Sequence, residues 1–393
     1  MSSFWMPKKQ PLYAPMLATF GGGSARGFNP GGGGIDLLPD IFNGNAFTFY
    51  NGDTQGHEGP SESTMTAYYN SNDGSWSSRN TSYYSVDSGI QWIEIVNGGV
   101  YEFTDVRGAA DGKAVGQTSR PRTRDLNFRV SLSAGDYLGV AVGQRSKLPV
   151  NWQQRLGEYS SPTSNESYCN SYGGSGGTWI VKTGYSAGRY QSPSNWDLIA
   201  VSAGAGGEGA NPGYSSTVTD VLAPGTTSNA YNGWGTRSAG QEAYGGQNMS
   251  SSWSGAGGAG YNVKGSSAYH STSAYIYVEG ACDWSGGRGI SGQGIGTNLS
   301  GIFKGGDHIS NYGNPNNGNY YGTEGGFGGG GAASYSPGGG GGYIGGNAYP
   351  SNGSSRKGGG GGVSYWNSNV TNSSHSQNTA AVTEGQARVE FIG

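Results

Sequence analysis

Apolar and polar residues alternate with a period of two over several stretches of this chain. LNFRVSL places Leu126, Phe128, Val130 and Leu132 on one face, and YLGVAVG does the same with Leu138, Val140 and Val142. Such alternation predicts half-buried strands. FTFY (Phe47 to Tyr50), TWIVK (Thr178 to Lys182), WDLIAVSA (Trp196 to Ala203), SAYIYVEG (Ser273 to Gly280) and the terminal ARVEFIG read the same way. GIQWIEIV (Gly89 to Val96), then Asn97-Gly98-Gly99, then VYEFTDV (Val100 to Val106) predicts a β-hairpin closed by a glycine turn. Ala134-Gly135-Asp136 predicts the next turn. No stretch of 11 residues or more carries a convincing helical period, so the prediction is an all-β chain without a substantial α-helix.

Glycine changes that picture. Residues 325–362 read GGFGGGG, AASYSP, GGGGGYIGG, NAYPSNGSSRK, GGGGG. A flexible linker mixes Gly with Ser and lacks such blocks. Consecutive glycines suit a left-handed extended helix with three residues per turn and no internal hydrogen bonds. Its N–H and C=O groups need partners outside it. Several such helices side by side supply them, and only glycine lets their backbones approach closely. At roughly 3.1 Å per residue, five glycines span about 15 Å. The short connectors then become loops at the ends of a glycine bundle. WDLIAVSA runs directly into GAGGEG, a strand feeding a glycine helix. The predicted fold is a β-sandwich, jelly-roll-like, with an inserted polyglycine II bundle.

Of 393 residues, 79 are Gly and 15 Pro, which approaches low-complexity composition. The 10 Trp, 27 Tyr and 11 Phe argue for an ordered chain instead, because disordered chains are poor in aromatics. Net charge is −3, from 25 acidic and 22 basic residues, with no basic cluster, so no nucleic-acid partner is expected. No apolar run is long enough for a membrane helix, so no membrane insertion is expected. Cys169 and Cys282 allow one disulfide or two unpaired thiols.

Three regions are expected. Residues 1–34 are an extended arm whose Phe4, Trp5, Leu12, Tyr13 and Phe20 cannot bury one another, and which docks on a neighbouring protein. Residues 35–89 are an Asn-, Ser- and Tyr-rich β segment, and 90–393 the glycine-rich β domain. Lys8 and Lys9 precede a semi-apolar stretch broken by Pro11 and Pro15, a poor signal peptide. The acceptor triplets at Asn80, Asn165, Asn248 and Asn369 matter only in a secretory pathway.

Catalytic patterns are missing. His57, His270, His308 and His375 show no metal-ligand spacing, there is no GxSxG elbow, and SSRKGGGGG is not a phosphate loop. No enzyme, metal or cofactor is expected. Binding is easier to argue. Residues 307–324 carry His308, Tyr312, Tyr320 and Tyr321; residues 212–235 carry Tyr214, Tyr231 and Trp234; Tyr349, Arg356, Tyr365 and Trp366 lie near the last glycine run. Tyr and Trp among Ser, Gly and Asn make adaptable recognition surfaces. The bland alternative is that aromatics lie along the glycine helices and shield them from water, which is expected of Phe327 and Tyr343.

The succession YEF, VAVGQ, GGSGGTWIVK, LIAVSAGAGGEG, GGFGGGG, GGGGGYIGG, GGGGGVSYW and ARVEFIG resembles the glycine-rich domain of the anaplastic lymphoma kinase and leukocyte tyrosine kinase receptors. The likeness covers residues 90–393 and implies a β-sandwich with polyglycine II helices in a hexagonal array. The architecture is also similar to tail-fibre-tip adhesins of T-even-like phages, in which loops between glycine helices touch the host receptor. The chain departs from the receptors in having no transmembrane span, kinase domain or cysteine-rich framework. The expectation is therefore a virion surface protein, assembled in the host cytoplasm, held by its arm to other virion proteins and presenting loops to a host glycan or protein. The alternatives are a capsid or tail decoration protein without receptor contact, and a secreted ligand-binding module. Monomer and homotrimer are both open.

Overall fold

The computed structural model describes residues 40–42, 44–110, 123–147, 172–184, 196–207, 255–261, 303–306, 323–333, 337–348, 359–378 and 384–393, with the backbone of 220–222, 268–269, 277–278 and 308–309. Residues 40–393 form one compact unit. Two sheets dominate it. The five-stranded sheet has the order β1-β15-β4-β5-β14, with β1 Phe47–Tyr50, β4 Gly99–Arg107, β5 Arg124–Leu132, β14 Thr371–Gln377 and β15 Gln386–Phe391. The seven-stranded sheet runs β2-β3-β6-β7-β8-β13-β9. Its members are β2 Tyr84–Asp87, β3 Ile90–Glu94, β6 Tyr137–Ala141, β7 Thr178–Thr183, β8 Asp197–Ser202, β9 Asp220–Leu222 and β13 Val363–Trp366. Neighbours are antiparallel, except that β13 and β9 run parallel. The all-β sandwich is thus the fold.

The alternating strands build the five-stranded sheet. Tyr101 and Phe103 of β4, Leu126, Phe128 and Val130 of β5 and Val389 of β15 point inward onto Ile93, Leu138, Val140 and Ile180 of the seven-stranded sheet. The latter sheet is buried on both faces. Ile90, Trp92, Trp179, Val181, Leu198 and Val201 form a second apolar cluster with Phe303 and Phe327 from the glycine region. Strands covered on both sides need apolar residues at successive positions. So IQWIE, YLGVA and DLIAVS are buried on both faces rather than half-buried as their alternation predicted.

One expectation is corrected, and one short helix is added to the all-β fold. The predicted hairpin does not form: β3 pairs with β2 and β6, while β4 pairs with β5 and β15, so Asn97-Gly98 carries the chain from one sheet to the other. There is also an α-helix, α1, at Glu62–Asn72. Its sequence ESTMTAYYNSN has almost no amphipathic stripe, and only Met65 and Tyr69, one turn apart, are buried. Ser61 caps it, its hydroxyl accepting from the Thr64 N–H at 3.2 Å. Tyr69 stacks on Trp76 (4.7 Å) and donates to Gln91 at 2.7 Å. Tertiary anchoring, not periodicity, makes this helix. Of the predicted strand at 273–280, the described part is β11, Tyr277–Val278.

Candidate functional site

Several strands continue past the end of the sandwich as glycine-bearing segments. Segments 142–147 and 203–207 leave β6 and β8, whereas 172–177 and 359–362 lead into β7 and β13. Buried hydroxyls stitch the junction. Thr178 Oγ1 donates to Arg107 C=O (2.6 Å) and accepts from Gly143 N–H; Ser202 Oγ donates to Arg124 C=O (2.7 Å) and accepts from Gly108 N–H. Ser364 Oγ accepts from Ala203 N–H at 2.9 Å.

Beyond the junction most backbone bonds run to neighbouring segments. At the sheet end, Gly177 donates to Gly328 (3.0 Å), Gly204 to Gly341 (2.8 Å), Ala259 to Gly329 (2.7 Å) and Gly362 to Gly204 (3.0 Å). Farther out, Gly207 donates to Gly338 (2.9 Å), Gly359 to Gly207 (2.8 Å), Gly338 to Tyr172 (3.1 Å) and Ala256 to Ala332 (2.8 Å). A Cβ on Gly174 would lie 1.9 Å from Gly339 C=O, and one on Gly346 1.9 Å from Gly360 C=O. Those distances leave room for hydrogen alone. This is the predicted bundle of mutually bonded glycine segments.

The pairings give the bundle two unlike poles. At the sheet end the chain reverses tightly through Phe327-Gly328-Gly329, where Gly328 and Gly329 have φ of +99° and +94°, and again through Gly342 to Ile344. The Trp179 indole N–H donates to Gly328 C=O at 3.1 Å and pins the first reversal to β7. At the far pole lie the ends of the segments that stop at 147, 207, 306, 333 and 348 and of those that start at 172, 255, 323, 337 and 359. Lys147 bridges to Glu324, and Thr323 to Ala333, at this pole.

Tyr231 and Trp234 belong to the 207–255 connector, Tyr312, Tyr320 and Tyr321 to 306–323, and Tyr349 to 348–359; all lie outside the described residues, as do Arg356, Cys169, Cys282 and the arm residues Phe4, Trp5, Leu12, Tyr13 and Phe20. His308 starts β12 (His308–Ile309), and its backbone pairs with Val278 of β11, which also pairs with β10, Ala268–Tyr269. Trp366 is a correction. It is 8% exposed on β13, belongs to the sandwich core, and has its ring 6.0 Å from that of His375, so it is a packing residue rather than a displayed one. Phe327 is fully buried against the seven-stranded sheet. Tyr343 stacks between Tyr365 (4.1 Å) and Tyr261 (5.5 Å), so both aromatics line the bundle as expected.

Sequence reasoning passed over a polar cluster beside this pole. Residues 55–59, QGHEG, run along the bundle: Gly56 N–H donates to Arg145 (3.0 Å), Gly56 C=O accepts from Phe327 (2.6 Å), and His57 C=O accepts from Gly305 (2.9 Å). His57 Nδ1 lies 2.8 Å from Glu324, and Lys304 Nζ lies 2.6 Å from Glu58. Burial raises the Glu324 pKa, but the hydrogen bond and charge of His57, with the charge of Lys147, outweigh it and leave the carboxyl below its ordinary value. The two glycines around a single His and Glu were the available signal. No group of three or more metal-capable side chains occurs among the described residues.

No protein-family model matches this chain, and no curated protein matches it either.

Proposed function

We propose that this chain is a non-enzymatic virion surface protein, a tail-fibre or fibre-tip adhesin. In this role its glycine bundle presents connectors to a host-surface glycan or protein, and its N-terminal arm holds it to other virion proteins. One observation carries the proposal: the ends of the described glycine-bearing segments gather at the pole that faces away from the sandwich. A bundle fastened along its length by backbone hydrogen bonds is a stiff pedestal, and its opposite pole is closed by tight glycine turns. Connector sequences rich in Tyr, Asn, Ser and Gly then vary without disturbing that frame, the division of labour expected of binding loops on a rigid scaffold. The resemblance to glycine-helix domains and fibre-tip adhesins supports the same role.

The test is binding of fluorescently labelled protein to intact cells of a candidate host, beside a variant lacking Asn311 to Tyr321. Saturable binding that the variant loses supports an adhesin using the 306–323 connector. Absence of binding by folded, assembled protein favours a decoration protein of the particle.

A further inference from the structure

The segment Gln55–Gly59 leaves the sandwich and lies against three bundle segments at once. Its three backbone bonds, to Arg145, Phe327 and Gly305, tie residues 142–147, 323–333 and 303–306 together. Gly56 has φ +100°, and a Cβ there would fall 2.6 Å from Glu324 Oε2 and 3.1 Å from Lys147, so these two side chains close over it. His57 is the one side chain of this segment aimed into the cluster with a proton to gain near neutral pH. It is about one-fifth exposed, with Nδ1 2.8 Å from Glu324 and Nε2 3.6 Å from Glu58.

We propose that His57 is a proton-operated clasp, which fastens the Thr323–Phe327 segment to the 55–59 segment more tightly when its imidazole is protonated. The groups facing it are Glu58 on its own segment, Glu324 on the segment it clasps, and Lys147 and Lys304 on the other two. Lys304 already neutralises Glu58 at 2.6 Å, so Glu324 is the carboxylate that answers His57. A neutral imidazole offers Glu324 one hydrogen bond; an imidazolium adds a full charge to the same contact. The sign follows. Stability from the imidazolium is present below the ordinary histidine range, about pH 6.5, and is lost as pH rises above it. Glu324, whose pKa is lowered, contributes above the ordinary carboxylate range and loses its contribution as pH falls. The clasp is therefore tightest in mildly acidic solution, between those two ranges. Because Thr323 resumes the chain after the 306–323 connector, the clasp sets how firmly one foot of that connector is held. It stands whether or not the connector binds a receptor.

Hydrogen–deuterium exchange on the full chain at pH 6 and pH 8, corrected for intrinsic exchange, tests it. The amides of Gly305 and Phe327, whose partners are His57 and Gly56, should be about two- to fivefold more protected at pH 6, the range of a partly exposed ion pair. Amides of Gly204 and Gly362 should show no such difference. His57→Gln should abolish the difference, and Glu324→Gln should do so independently. Equal protection in the unaltered protein at both pH values overturns the proposal, as does a difference that survives in His57→Gln.

Discussion

At the scale of single residues, the glycines of this protein divide into two kinds. A Cβ on Gly340 would sit 2.2 Å from Gly204 C=O and 2.7 Å from Ala205 C=O, both backbone atoms that other bonds hold in place. Gly340→Val should therefore cost about 3 kcal/mol or more, the upper range of overpacking, and show a clear drop in melting temperature. Gly74 has nothing within 4 Å and an ordinary φ, so Gly74→Ala should leave stability unchanged or raise it by about 0.4–1 kcal/mol through the unfolded chain. Thermal melting of the two variants separates a lattice glycine from a loop glycine. The crowding of Gly340 was legible in the sequence, because it sits in a run of five. Trp366 was not legible. Nothing in VSYWNSN tells which of two adjacent aromatics faces the core, and only the pleat of β13 against the sandwich put Tyr365 in the stack with Tyr343 and Trp366 inside.

At the scale of elements, α1 depends on one arginine several residues beyond its end. Arg79 donates to Asp73 (3.0 Å) and to the carbonyls of Ile41 (2.8 Å), Phe42 (3.1 Å) and Ala46 (3.0 Å), with its guanidinium 5.2 Å from the Phe47 ring centre. Its side chain is 5% exposed, so the pair with Asp73 is shielded from solvent. Arg79→Ala should cost about 3–5 kcal/mol, because it leaves a carboxylate and three carbonyls short of a donor. Burial raises the Asp73 pKa, but the Ser75 hydrogen bonds and Arg79 outweigh that and lower it. Its contribution is thus present above the ordinary Asp range and lost as pH falls through its own lowered value. Acid titration of the melting temperature should show that loss in the parent and a smaller one in Arg79→Ala, where the Ser75 hydrogen bonds remain. By contrast, Ser61→Ala removes only a cap and should cost about 1 kcal/mol. The strands were largely readable and the helix was not. Period two survives in strands such as β4 and β5, with one face buried and the other wet, whereas α1 rests on two buried side chains and a distant guanidinium. The hairpin expectation failed for a related reason. An Asn-Gly-Gly turn fits a hairpin, but IQWIE is apolar on both faces and VYEFTDV on one, which marks them as strands of different sheets.

At the scale of the whole molecule, residues 40–393 are one compact unit whose first strand pairs with its last, Phe47 opposite Val389. A chain lacking residues 1–34 should therefore fold with the same melting temperature as the full chain, by calorimetry. If the arm is the docking element we propose, the truncated protein should also fail to join particles; incorporation of the truncated protein would remove that role. The junction hydroxyls of Thr178, Ser202 and Ser364 show how two kinds of architecture are joined. Each stands where a strand meets a glycine segment, and each satisfies a backbone group that neither the sheet ladder nor the glycine bonds reach.

The sequence by itself determined that this is a β protein carrying glycine segments packed against one another. Alternation of apolar residues and unbroken glycine runs are local properties that admit few structures. The tertiary structure alone decided which strands share a sheet, that the ends of the glycine segments gather at one pole, and that His57 meets Glu324. Those outcomes rest on the pairing of groups far apart in the chain, and backbone hydrogen bonds between glycines leave no side chain in the sequence to mark their register.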